Sequence, residues 1–393
     1  ESFLKDAQLT FAGDSEASVR NLGEIRASGG DVHLIGRSVE NGGGIYAYTG
    51  TVGLGGGNEV ILSNGGSIAV MAGDGRVDNS GAITAARVGL NAVNGNLYAL
   101  AINNSGVIRA NRLEGEGGRL VLRAEGATAM NSGSLIAPGG EVHLLGDQVG
   151  LDGAIDVSGA ESGGIALIGG GFQGAVVGIP NARRTVVGAG ATVNADAGPK
   201  GDGGNVVVWA DDLTSFNGTI SARGGSLSGE GGRVEVSGRE HLAFAGAVDV
   251  SAANGLGGSI LLDPRDLSVV GAGVTDAALS STGLLASAPD STSDATVSAS
   301  AIAALNGNVA LEASRDLSID VALALPNQTS GETVTFTAGG NLSINAPVST
   351  GGGAMTFKAS SGGVNSRTAT LTILGQTSGG DVTFQNDGGS GGI

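Results

Sequence analysis

NLGEIRA at 21–27, NGGGIYA at 41–47, NSGAITA at 79–85, NSGVIRA at 104–110 and NSGSLIA at 131–137 repeat one heptapeptide. Its form is Asn, any residue, Gly, any residue, an aliphatic residue, any residue, then Ala. Weaker copies are LDGAIDV at 151–157, FNGTISA at 216–222 and FAGAVDV at 244–250. Alternation with period two places Ile25, Ile83, Ile108, Ile155 and Ile220 on one face, and Arg26, Thr84 and Arg109 on the other. One such strand cannot bury its aliphatic side alone. Copies stacked in register bury it as continuous Ile, Val and Ala columns, and each strand pairs its backbone with the layers above and below.

The heptapeptide glycines fall at 23, 43, 81, 106, 133, 153, 218 and 246, so successive steps are 20, 38, 25, 27, 20, 65 and 28 residues. The large steps read as near multiples of the small ones, and the 65 hides two coils, one of them centred on AGATVNA at 189–195. A second strand follows a glycine pair: GGDVHLIG at 29–36, GGRLVLRA at 117–124, GGEVHLLG at 139–146, GGNVVVWA at 203–210, GGRVEVSG at 231–238 and GGSILLDP at 257–264. The chain therefore reads as an all-β, right-handed parallel β-helix, a solenoid with coils of about 20–28 residues. Residues 1–262 make roughly ten coils, a rod of ~50 Å. The recurring Asn suits a corner for two reasons. It tolerates left-handed φ, and its amide can stack on the Asn of the next coil.

Composition agrees. Glycine supplies 75 of 393 residues, yet not at every third position, and Pro is only 7, which excludes collagen. Hydrophobic residues at 40% and charged residues at 15% allow a core and argue against disorder. The net charge of −17 repels phosphate backbones and anionic lipid, so neither nucleic-acid binding nor membrane insertion is expected. Without cysteine there is no disulfide, thiolate metal site or thiol catalysis, and stacked backbone hydrogen bonds must hold the fold. No apolar run reaches the length of a membrane-spanning helix. The opening ESFLKDAQ has no basic leader, and we read it as internal to a longer secreted precursor.

The regular β-helix is expected over 1–263. An insertion or linker with a short helix follows over 264–306, irregular near 270–305, and further β-repeats occupy 307–393. SASAIAALNGN at 298–308 reads as that helix, with a Ser cap and an Asn-Gly stop. GNVALEA, DLSIDVA, ETVTFTA, NLSINAPV, AMTFKAS, ATLTILG and DVTFQN then resume the strand pattern between 307 and 386.

The run from FLKDAQLTFAG to GGGNEVIL (3–62) resembles the downstream part of the secretion domain of filamentous haemagglutinin-like exoproteins. The resemblance continues through GGNVVVWADDLTSFNGTISARGG (203–225), HLAFAGAVDVSAANGLGGSILLDPRDLSV (241–269) and ATVSASAIAALNGNVALEA (295–313). It implies two-partner secretion through an outer-membrane β-barrel partner, a place outside or on the surface of a Gram-negative-type bacterium, and an adhesin-type role. The family's Asn-Pro-Asn-containing start region is missing here, so no residue is assigned to partner recognition.

A β-helix can also be an enzyme with carboxylates gathered on an outer face. Asp156 and Asp249 hold equivalent outward positions, but about three coils, ~14 Å, separate them, too far for a glycosidase pair. Asp211 and Asp212 read as corner residues. His33 and His143 share one outward position, explained by register, and His241 lacks Asp and Ser companions in sequence. Trp209 alternates with Val206 and Val208 and reads as outward. There it either stacks on a sugar or covers side chains of the next coil, the second being preferred. The glycine clusters lack the Lys and Ser/Thr of a phosphate loop, and AGDGRVDNSG (72–81) lacks a calcium repeat. No catalytic, cofactor or metal residue is assigned, and no cofactor is expected. The expected function is non-enzymatic: a secreted adhesive rod that contacts cells, matrix or polysaccharide through outer-face side chains and loops such as 160–185. A fibre subunit associating end to end and a polysaccharide-active enzyme are the alternatives.

Overall fold

A computed structural model describes residues 8–63, 66–111, 117–271, 295–360, 371–373 and 377–386. The chain winds as a parallel β-helix in which 32 strands share one hydrogen-bonded network. Each regular coil carries three strands, so the rod has three faces. The heptapeptide face stacks Ile25, Ile45, Ile83, Ile108, Leu135, Ile155, Val193, Ile220 and Val248 in register. The glycine-pair face stacks Val32, Val52, Val88, Leu120, Val142, Ala166, Val206, Val234, Ile260, Val309, Val334, Met355 and Val382. Those thirteen layers, at ~4.8 Å each, make a rod of about 60 Å. In the interior layers the inward residues Ile45, Ile83, Ile108, Leu120 and Val234 are fully buried, while Ile25 and Val382 in the end layers are partly buried. Each fully buried one contributes about 1.5–3 kcal/mol of burial that a single coil could not supply.

The 38-residue step is a single coil with an insertion rather than two coils, whereas the 65-residue step does hold two. Ala82–Ala85 pairs directly with Gly44–Ala47, so the 38-residue step is one turn of the helix. Its excess forms an antiparallel hairpin, Glu59–Ser63 with Ile68–Ala72, on which Gln8–Ala12 adds a third strand. Val60, Leu62, Ile68 and Val70 give this small sheet its own core against the outer wall. Within the 65-residue step, Thr192–Asn194 pairs with both Ala154–Asp156 and Thr219–Ser221, so AGATVNA is the hidden copy.

The third face closes each coil and carries the Asn column. Asn21, Asn41, Asn79, Asn104 and Asn131 are in register and buried. Among the described residues only Gln173 has positive φ without being Gly, so none of these Asn is left-handed. Amide stacking alone accounts for them. Farther on, Leu151, Val187, Phe216 and Phe244 take over the same column.

Beyond Leu262 the layer order departs from chain order. Ala295–Ser298 lies between His241–Phe244 and Leu267–Val270, pairing with both. The helix Ala299–Ala303 follows, and the Ser298 hydroxyl accepts from the Ala301 N–H at its start. Asn306 then bridges to Asp249, so the helix stands where the heptapeptide face would have its next strand. Asn308–Ala313 pairs with Ser259–Leu262, and the stack continues upon it. Most of the irregular insertion (272–294), residues 1–7 and the greater part of ATLTILG lie outside the described residues.

Candidate functional site

Outward side chains on the glycine-pair face form their own columns. Val207, Glu235 and Leu261 are one, and Trp209 and Ser237 begin the next. Leu262 pairs with Leu311, so Asp263 and Glu312, the residues that follow them, sit side by side where the second column continues. Three carboxyl groups thus occupy three successive layers. None of the three is among the carboxylates singled out from the sequence, which were Asp156, Asp249, Asp211 and Asp212. The signal was present as the outward Glu of GGRVEVSG, the Asp after LL and the Glu of VALEA.

Glu235 is fully buried, and its Oε1 has no hydrogen-bond partner. Burial pushes its carboxyl up to about 7; the N–H of Gln173 and the Ser237 side chain oppose that, and Asp263 and Glu312 add to it. Burial likewise pushes Asp263 up to about 6, with Glu312 adding repulsion, and raises Glu312. Glu235 and Asp263 thus hold their protons closer to neutral pH than ordinary carboxyl groups do. Among the described residues, no three His, Cys, Asp or Glu side chains are placed to hold a metal ion.

A loop over 169–182 covers this face. It hangs from a closed neck, where the Ala182 N–H donates to the Gly169 carbonyl at 2.5 Å. The Gln173 N–H donates to Glu235 Oε2 at 2.9 Å, with Gln173 itself at φ 51°. Gly174, at φ 61°, lies on the Trp209 indole so closely that a Cβ there would stand 2.6 Å from the ring. Trp209 is therefore only 3% exposed. It does leave the coil interior, as expected, but the loop seals it from solvent. Its Nε1 donates to Asp211 Oδ1 at 3.1 Å. Asn181 donates to the same oxygen and to the Gly174 carbonyl, tying the loop down.

The other sequence-singled residues are structural. Asp211 also pairs with Arg239, and Asp212 with Arg184, both at a corner. Asp156, Asn194, Ser221 and Asp249 follow in register, so three layers do separate the two aspartates. His33 and His143 lie on the outward side, yet His143 is buried, and burial lowers the pKa of both. His241 lies beside Leu213. Asp74 and Asp78 of the acidic loop are taken up by Arg37 and Arg76.

An open trough of about 950 Å³ runs along the corner between the heptapeptide and glycine-pair faces. Gly118, Gly140 and Gly164 line it because stacking demands them: a Cβ at Gly140 would stand 2.1 Å from the Gly118 carbonyl oxygen. Tyr48, Arg87, Arg119 and Glu141 also line it.

No protein-family model and no curated protein sequence matches the chain. Among solved structures it is similar to the crystal structure of the HMW1 secretion domain from Haemophilus influenzae. The TM-score is 0.55 at 28% identity, over 65% of this chain and 71% of that one. The likeness is thus to a secretion domain built on the same kind of stacked parallel sheet.

Proposed function

We propose that this chain is part of a secreted, surface-displayed adhesive rod of the filamentous haemagglutinin-like kind. An outer-membrane β-barrel partner exports it, and its receptors are cell surface, matrix or polysaccharide. The observation that carries the reading is the thirteen-layer parallel stack with no cysteine, joined to the likeness to a secretion domain. The mechanism is geometric. Ladder hydrogen bonds between coils keep the rod stiff, while the hairpin at 59–72, the loop at 169–182 and the corner trough supply contact surface. No helix among the described residues is long and apolar enough to cross a membrane. We take the rod as non-enzymatic, since the equivalent outward carboxylates Asp156 and Asp249 stand three layers apart, too far for a glycosidase pair.

Beads coated with the purified chain, offered to epithelial cells, matrix proteins and polysaccharide surfaces, test the reading. Retention on one of these supports it. Intact rods by electron microscopy that are retained on none would overturn the adhesive role.

A further inference from the structure

The loop at 169–182 is held down in an unusual way. From Gly163 to Ala182 the sequence GGIALIGGGFQGAVVGIPNA has no charged residue. Its tip faces water, with Val177 99% exposed and Val176 43%. The turn Phe172–Gly174 contributes no buried residue to any core. Apolar burial therefore does little to fasten the tip. Three contacts do: the Gln173 N–H on Glu235, the bed of Gly174 on Trp209, and the Asn181 amide. The backbone can swing at Gly169, Gly174 and Gly178, all at positive φ, with its neck pinned between Gly169 and Ala182. Gln173 is held in the left-handed region with its N–H on Glu235; that one bond favours the ionised carboxyl, and burial under the loop outweighs it.

The charges that face Glu235 are unbalanced. On its own strand, Arg233 is turned to Phe172, with the guanidinium 5.8 Å from the ring. From the next strand Asp263 faces it, and from the one beyond, Glu312. On the side of Trp209, Asp211 accepts from the indole Nε1 and is already paired with Arg239. The covering loop offers one N–H and no cation. As a neutral acid, Glu235 needs little more than that bond. As a carboxylate it would leave Oε1 bare in a dry site beside two other acids.

We propose that the loop at 169–182 is a proton-operated cover: it stays shut while Glu235 is protonated and lifts when that carboxyl ionises. Lifting admits water to Oε1 and releases Gln173 from its left-handed conformation. It uncovers the indole of Trp209 next to Glu235, at the start of the row that runs on to Asp263 and Glu312. The β-helix beneath does not move, because its ladder runs through the backbone of Asn205–Ala210 and Arg233–Gly238, independent of the loop.

Trp209 is the only tryptophan, so its fluorescence reads this cover alone. The full chain is titrated from about pH 5 to pH 9, following emission maximum and acrylamide quenching, with far-ultraviolet circular dichroism to confirm the fold. Quenching is expected to be low in acid and to rise several-fold through a transition centred near neutrality, with a red shift and an unchanged dichroism spectrum. Glu235→Gln should stay blue and unquenched throughout. Asp263→Asn should move the transition to lower pH, since one repelling charge is gone. Gly174→Ala should be quenched at every pH. Flat quenching in the unaltered chain, or the same transition in Glu235→Gln, overturns the proposal. Should Glu235→Gln fail to fold, hydrogen exchange at the Gln173 amide of the unaltered chain decides. Protection that disappears across the transition, beyond the intrinsic pH dependence, supports the cover, and protection that persists overturns it.

Discussion

The Asn79 side-chain amide donates to Asn104 Oδ1 at 2.7 Å, across 25 residues of sequence and one layer of the stack. Asn104 repeats the act on Asn131 at 2.6 Å and also reaches the Gly106 carbonyl. The bonds run in one direction from Asn21, so each interior member both donates and accepts. Replacing Asn104 by Leu leaves the Asn79 amide and the Asn131 oxygen buried without each other's column. We expect a loss of about 2–4 kcal/mol. Asn131→Leu should cost less than half as much, because Leu151 already follows it and only one partner is stranded. Urea unfolding followed by circular dichroism checks the order. Equal costs would mean the ladder is not cooperative.

The heptapeptide glycine answers to the coil beneath it. A Cβ at Gly106 would stand 2.1 Å from the Gly81 carbonyl oxygen, and at Gly133 2.0 Å from that of Gly106. At Gly23, in the first described coil, the same Cβ meets nothing within 4 Å. None of these three glycines has positive φ. Gly106→Ala should therefore cost about 3 kcal/mol by overpacking, while Gly23→Ala should stay within about 0.5 kcal/mol. A thermal melt of the two variants measures the contrast. A harmful Gly23→Ala would show that local conformation, rather than stacking, fixes the residue.

This contrast explains what was legible in the sequence. Ile25, Ile83, Ile108, Ile155 and Ile220 announced the fold because stacking repeats the same demand at every layer. The weaker copies were weak for a physical reason: Leu151, Phe216 and Phe244 hold the place of Asn, and the column turns from amide to hydrocarbon. Spacing counts residues and does not tell a hairpin from a turn, so the 38-residue step reads as two coils where the structure has one, while the 65-residue step holds two as read. The covered face at Trp209 was invisible. Alternation says that Trp209 and Glu235 leave the interior, but the loop that seals them comes from at least 28 residues upstream of Trp209, at Asn181 and before.

Inside the later coils, aromatic rings continue the Leu262–Leu311 column of the glycine-pair face. Phe357 stacks on Phe336 with centroids 4.8 Å apart and on Phe384 at 5.2 Å. Phe357 itself is fully buried. Phe357→Ala removes both ring contacts and opens a cavity, for an expected loss of about 3–5 kcal/mol. In a stack where each layer touches only its neighbours, the damage should stay local. Hydrogen exchange should speed up around 333–359 and remain unchanged around 82–151. Uniform loss of protection would mean that the rod unfolds as one unit.

Glu235 makes a prediction for the whole molecule, with a sign opposite to that of most acids. Its carboxyl goes from the ordinary 4.5 to about 7 on folding, through burial first. The folded chain therefore holds a proton that the unfolded chain has released. The linked penalty is absent below the unfolded value, grows as pH rises past it, and is complete above about 7. For a rigid site it would be on the order of 3 kcal/mol. Glu235→Gln should match the unaltered chain in acid and be the more stable of the two at pH 8. Urea midpoints at three pH values measure the difference. The proposed cover sets a ceiling on it. If lifting the loop hydrates the carboxylate, the penalty cannot exceed the cost of lifting, and the slope flattens above neutrality. A difference that keeps its full rigid-site size at pH 8 would indicate a loop that stays down, and a stabilising effect of Glu235 as pH rises would show that the carboxyl is not dry at all.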